Sequence, residues 1–145
     1  MIYQATEIIQ KAMQAHDLNC GIEERENTST VHVGITTDTV SFDALFISRS
    51  EENDVAVRIF NIIRFPAEKL DAVFEQVNEC NTRFRYLKFV VDTEQYTVDA
   101  EYDLLLSEED PGEPAVEILV RSANIIETCY PLLMGVLSGG EKEES

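Results

Sequence analysis

Between residues 77 and 106 the hydrophobic positions change period. Up to Asn81 they recur every three or four residues, and beyond it they alternate. Leu87, Phe89 and Val91 alternate with Tyr86, Lys88 and Val90. Past a turn, Val98, Ala100, Tyr102 and Leu104 alternate with Asp99, Glu101 and Asp103. A period of two belongs to a strand with one buried face, so this segment predicts the end of a helix followed by a hairpin. Matching the apolar faces sets Val91 opposite Val98, Phe89 opposite Ala100 and Leu87 opposite Tyr102, with Lys88 across from Glu101 on the outside. A slip by one residue would bury Asp99, Glu101 and Asp103 together, and that cost selects the register.

Elsewhere the same reading applies. Ile2, Ala5, Ile8, Ile9, Ala12 and Met13 sit at helical spacing and predict an amphipathic helix that ends near residues 17–21, where Asn19 and Gly21 supply stop chemistry. The period then becomes two, with strands predicted at 22–26, 30–36, 41–49 and 54–64. Turn-forming clusters at 27–29, 37–39 and 51–54 separate them, which predicts an antiparallel meander. Phe65-Pro66-Ala67-Glu68 opens a second helix with Pro66 at its first position and Leu70, Val73, Phe74 and Val77 as its buried stripe. After an acidic connector at 107–114, a third helix starts near Glu113 and is built on Val116, Leu119, Ile126, Cys129, Leu133 and Leu137. Pro131 predicts a bend or break within it. The order α–β–β–β–β–α–β–β–α describes an α+β fold, an antiparallel sheet with flanking helices. A single domain is expected over residues 1–138, with Gly139-Gly140 opening a disordered acidic tail over 139–145.

Two of these strands are apolar on both faces. Phe42, Ala44 and Phe46 share one side of the third strand, and Leu45 and Ile47 the other. In the fourth, Val55, Val57 and Ile59 oppose Ala56, Arg58, Phe60 and Ile62. A sheet covered by helices on one face only should be polar on its second. Either helices cover both faces, or Leu45, Ile47, Phe60 and Ile62 form a patch buried by a partner or a second copy of the chain.

Charge narrows the function classes. The 145 residues carry 28 acidic and 11 basic side chains, a formal net charge of −17. Nucleic-acid binding depends on Lys and Arg releasing counterions, and anionic membranes repel the same surface, so neither partner is expected. Such acidity keeps a protein dispersed, and it also suits a chaperone-like partner for basic or unfolded segments. No apolar run approaches the roughly 20 residues of a spanning helix, and the N-terminus lacks the pattern of a signal peptide, so a cytoplasmic location is expected.

The search for reaction chemistry returns little. There is no Gly-rich phosphate loop, and with only His16 and His32 no His-rich metal site. His16, at the end of the first helix, suits its negative end, and His32 reads as a strand surface residue. Asp99, Glu101 and Asp103 share a strand face that could suggest a hard cation, but opposite Lys88 they read as a charged outer face. Cys20, Cys80 and Cys129 are an odd set without short spacing, which argues against a disulfide framework or zinc site. They read as small buried hydrophobes. No cofactor, metal or catalytic residue is expected, and an enzyme using Cys80 or Cys129 stays the alternative. Arg83, Arg85 and Lys88 form the local basic cluster, either balancing nearby carboxylates or anchoring an acidic ligand.

Asn78-Glu79-Cys80-Asn81, followed by Arg83-Phe84-Arg85-Tyr86-Leu87-Lys88-Phe89 and the hairpin to Tyr102-Asp103-Leu104, resembles the YbjN family, described as bacterial sensory-transduction regulators. The resemblance spans nearly the whole chain. It implies a fold like that of type III secretion chaperones, small acidic proteins that often dimerise and bind extended segments of partners. Pro131 in the last helix has no match in those chaperones. The family offers no catalytic residue to carry over. It implies only a structural role for Asn78 and Asn81, whose amides can satisfy backbone groups at the helix-to-strand corner. The expected function is a non-enzymatic adaptor or chaperone-like protein that binds a protein or peptide segment, with homodimerisation open. The alternative is a sensory regulator that binds a small acidic or peptide ligand.

Overall fold

The change of period at Asn81 marks a change from helix to sheet. The computed structural model describes residues 2–50, 54–105 and 110–143, the side chains at 105 and 139–143 excepted. The chain runs α1 (Gln4–Ala15), β1 (Cys20–Glu24), β2 (Ser29–Thr36), β3 (Ser41–Ser48), β4 (Asp54–Arg64), a 3-10 turn (Ala67–Lys69), α2 (Leu70–Arg83), β5 (Lys88–Asp92), β6 (Thr97–Leu105) and α3 (Gly112–Glu143). This is the α+β order the alternation predicts. Residues 51–53 of the turn predicted at 51–54, residues 107–109 of the connector and the last two residues of the tail lie outside the described residues.

The strands form one six-stranded sheet in the order β1-β2-β3-β4-β6-β5, antiparallel throughout. The first four strands are the expected meander. The chain then leaves through α2, places β5 at the far edge and returns through β6 between β4 and β5. The expected hairpin register is present from Lys88 onward, Lys88 pairing with Glu101, Phe89 with Ala100 and Val91 with Val98, but the strand starts at Lys88 and the expected Leu87–Tyr102 pair falls outside the ladder.

All three helices lie on one face. Helix α1 crosses β1 to β3, α2 runs along β5, and α3 packs on β4 and on both other helices. Ile9 and Met13 of α1, Val73 and Cys80 of α2, and Leu119 and Ile126 of α3 join Val33, Phe46, Val57 and Phe89 in a single core. Several of these side chains, Ile9, Phe46 and Ile126 among them, are fully buried. Each such burial is worth about 1.5–3 kcal/mol. Gly112 opens α3 where it meets α1, and a Cβ there would stand 2.9 Å from the Ala12 side chain. One residue on, Glu113 pairs with His16 Nε2 at 3.0 Å, so His16 at the end of α1 also ties that helix to α3.

Several expectations need correction. Helix α1 ends at Ala15, and the left-handed turn falls on Asp17 (φ 59°) rather than on Asn19 or Gly21. Pro66 caps the 3-10 turn instead of opening an α-helix. Phe74 is exposed, because α2 turns Val73, Val77 and Cys80 inward, and that stripe sets its rotation. Helix α3 continues through Pro131, since Ile126, Cys129 and Leu133 on either side are buried in the core. Their packing outweighs the roughly 3 kcal/mol an internal proline costs. The helix also runs past Gly139-Gly140 into the region where the tail is expected.

Candidate functional site

Because the helices share one face, the other face of the sheet is uncovered among the described residues. The ladder sets its side chains in rows. His32, Leu45, Arg58, Glu101 and Lys88 stand in one row from β2 to β5, and Thr30, Ile47, Ala56 and Asp103 in the next. Leu45 and Ile47 are half-buried, and Phe60, further along β4, is 49% exposed. Arg58 lies between the apolar and acidic halves. Its Nη1 donates to Asp103 Oδ1 at 2.9 Å and to the carbonyl oxygens of Val57 and Tyr102, while its Nε is 3.6 Å from Glu101. A hollow of about 330 Å³ opens beside this group, lined by Ile47, Arg49, Asp54, Ala56, Arg58 and Asp103 among others.

The fourth residue of the expected patch is not there. Ile62 belongs to the core and is 6% exposed. The pairing of β4 with β6 slips between Ile59 and Ile63, so residues 60–62 face Asp99 alone. Asn61 sits in the left-handed region (φ 59°), and its N–H donates to Asp99 Oδ1 at 2.9 Å. This bulge breaks strict alternation and returns Ile62 to the interior. Asp99, expected as a solvated face residue, closes the bulge. Glu101 and Asp103 hold Arg58, and among the described residues no group of three His, Cys, Asp or Glu side chains could hold a metal ion.

The basic residues also separate. Arg83 and Arg85 line a hollow of about 250 Å³ with Phe84, Tyr86, Arg121, Asn124 and Ile125. Arg121, from α3, stands 5.1 Å over the Tyr86 ring, and Tyr86 meets Tyr102 edge-on. Glu79 and Glu117 pair with Arg83 and Arg121 one turn away. Lys88 is not part of this hollow: it projects from the sheet's outer face opposite Glu101, whose ion pair is with Arg58 instead.

At the helix-to-strand corner the Asn81 amide accepts from the Phe89 N–H and donates to the Phe89 carbonyl, whereas Asn78 is exposed. Behind this corner Cys80 of α2 and Cys129 of α3 are both fully buried in the core. Accepting from Cys129 pulls the Cys80 thiol down, and Cys129 is correspondingly pushed up.

The model of the YbjN family, described as "Putative bacterial sensory transduction regulator", matches residues 5–131. The chain belongs to the YbjN family. No curated protein matches it.

The YbjN match runs from α1 into α3 and takes in the uncovered sheet face, the arginine hollow and the thiol pair. Sequence reasoning about this YbjN chain missed two groupings. Arg121 joins Arg83 and Arg85 from 38 and 36 residues away, and Cys80 and Cys129 enter one core from different helices. Neither leaves a local signal, because both arise where α2 and α3 pack. Among the described residues no helix is long and apolar enough to cross a membrane.

Proposed function

We propose that this YbjN-family protein is a non-enzymatic cytoplasmic regulator that holds an extended segment of a protein partner against the uncovered face of its sheet. The observation that carries this reading is the half-buried pair Leu45 and Ile47, with Ala56 and Phe60, on a face that none of the three helices crosses. Asp54, Glu101 and Asp103 stand beside the apolar rows, the last two shared with Arg58, on a chain whose net charge is −17. An extended segment with alternating apolar and basic side chains fits both properties: its apolar residues would cover Leu45 and Ile47, and its cations would meet those carboxylates. A second copy of the chain would bring acid against acid.

The test uses two synthetic peptides of equal length, one alternating Leu with Lys and one alternating Leu with Glu. NMR shifts on titration with the basic peptide are expected at Leu45, Ile47 and Phe60, with affinity falling as salt rises and lost in Ile47→Asp. Shifts confined to other surfaces, or unchanged binding in Ile47→Asp, would overturn the reading. A dimeric mass that Phe60→Asp converts to a monomer would assign the face to a second copy instead.

A second reading is favoured by the arginine hollow: a regulator that takes a small acidic ligand between Arg83, Arg85 and Arg121. Three arginines around one hollow on so acidic a chain offer an anion its least repelled site. A short acidic peptide should bind the wild type and lose affinity in Arg85→Ala, and equal binding by the two proteins excludes it.

A further inference from the structure

We infer that Tyr86 divides a two-part site whose ligand is a peptide segment with an aromatic residue among acids, a proposal that rests on the acidic-ligand reading of the arginine hollow. A second hollow, of about 180 Å³, adjoins that one, and Tyr86 and Arg121 line both. Its other walls are Tyr102 and Leu104 of β6 and Pro114, Glu117 and Ile118 of α3, most of them apolar. The Arg121 guanidinium stands 5.1 Å over the Tyr86 ring, and the Tyr86 and Tyr102 rings meet edge-on with centroids 6.3 Å apart. An apolar recess and a cationic one therefore share a single aromatic ring as their wall.

The backbone at Tyr86 supports the same role. Its φ is 76°, and the Leu87 N–H donates to the Arg85 carbonyl at 2.9 Å, a three-residue turn of the rare, strained kind. A bulky side chain is unfavourable in that conformation, and this one recovers little by burial, since Tyr86 is 52% exposed. Buried Leu87 and the hold of Asn81 on Phe89 keep the turn in place. Strain retained at an exposed aromatic fits a side chain presented to a ligand. The cations are available too. Arg83 and Arg121 pair with Glu79 and Glu117, exposed pairs worth so little that a ligand carboxylate can replace them. Arg85 is exposed, and its side chain has no ion pair among the described residues. A ligand ring in the apolar recess would meet Tyr86, Tyr102 and Ile118, with the neighbouring acids turned to Arg85 and Arg121.

The experiment titrates the full-length protein, followed by NMR, with three end-blocked peptides: Glu-Glu-Phe-Glu-Glu, Glu-Glu-Ala-Glu-Glu and Gln-Gln-Phe-Gln-Gln. The first is expected to bind about three- to tenfold more tightly than the second, the worth of one aromatic contact, and to shift the amides of Tyr86, Ile118 and Arg121. Tyr86→Phe should keep that preference. Tyr86→Gly suits the positive φ, so it should fold with undiminished stability and bind the Phe and Ala peptides alike. Equal affinity of the wild type for those two peptides, both weakened by Arg85→Ala, would overturn the aromatic half and leave the acidic-ligand reading standing. Binding of the Gln peptide as tightly as the first, or of no peptide, would overturn both. A preference for Phe that persists in folded Tyr86→Gly would remove the role of Tyr86. The comparison of peptides on the wild type does not depend on any variant.

Discussion

The carboxamide of Asn81 engages the backbone of Phe89 with both of its polar groups: Oδ1 accepts the Phe89 N–H at 2.8 Å and Nδ2 donates to the Phe89 carbonyl at 3.0 Å. Strand β5 is an edge of the sheet, so on that side Phe89 has no neighbouring strand. A single side chain from the end of α2 substitutes for one and closes the edge to other chains. Asn81→Ala is expected to cost about 1–2 kcal/mol in urea denaturation and to speed amide exchange at Phe89. Asn81→Asp keeps the acceptor but sets a carboxylate against the Phe89 carbonyl, and should cost more. Unchanged stability and protection in Asn81→Ala would remove this role.

Ile47 and Ile62 separate the two faces of the sheet. Ile62→Asp buries a charge in the core and should unfold the protein or cost well over ~4 kcal/mol. Ile47→Asp stands on the uncovered face and should leave the far-ultraviolet spectrum intact, with a loss of about 1 kcal/mol or less. Comparable damage from both variants would show that the bulge at Asn61 does not place them on opposite sides.

Buried hydroxyls give a paired test. Thr6 Oγ1 lies 2.7 Å from Ser29 Oγ, which also accepts from the Tyr3 N–H, so this group ties α1 to β2. Ser122 is fully buried, and its hydroxyl has no hydrogen-bond partner among the described residues. Thr6→Val should cost about 1–3 kcal/mol by leaving Ser29 under-satisfied, whereas Ser122→Ala should be neutral or stabilising by up to about 1 kcal/mol. Thermal melts of the two variants read the contrast directly, and a destabilised Ser122→Ala would contradict it.

In the reduced protein the thiol pair predicts a pH optimum. The hydrogen bond from Cys129, with lesser help from Gln76 and Arg83, lowers Cys80 from the ordinary thiol value of 9.0 to about 7, against the opposing effects of burial and Glu79. Between those values the folded state binds fewer protons than the unfolded one, so stability should rise with pH from about 7 to 9. Cys129 is raised, chiefly by the same hydrogen bond, and above 9 the unfolded chain ionises it while the folded protein keeps its proton, so stability should then fall. Denaturation midpoints of the wild type minus those of a Cys80→Ser/Cys129→Ser variant should peak near pH 9, where the rise gives way to the fall. A flat difference would refute the shared proton.

Alternation made much of the fold legible. The 88–101, 89–100 and 91–98 pairs follow from the cost of burying three acids, a penalty visible in the local pattern. Strict alternation failed at Ile62, because a bulge held by Asn61 and Asp99 adds residues without changing composition. Helical periodicity placed Val73 and Val77 inside but also Phe74, whose exposure depends on how α2 is rotated over β5. Of the candidate site residues, Leu45, Ile47 and Phe60 were readable as apolar side chains on a face without need of them. Lys88 was grouped with Arg83 and Arg85 by proximity in sequence, although the turn at Tyr86 (φ 76°) sends it to the other side of the sheet.

The sequence by itself determined the α+β class, the element order, the hairpin register and the kinship to YbjN, since each depends on residues near one another in the chain. Only the tertiary structure decided that all three helices choose one face, that Arg121 completes the arginine hollow and that Cys80 and Cys129 share one core. Those are contacts between distant segments, set by how α2 and α3 pack on a twisted sheet, and the period of a local pattern carries no record of its neighbours in space.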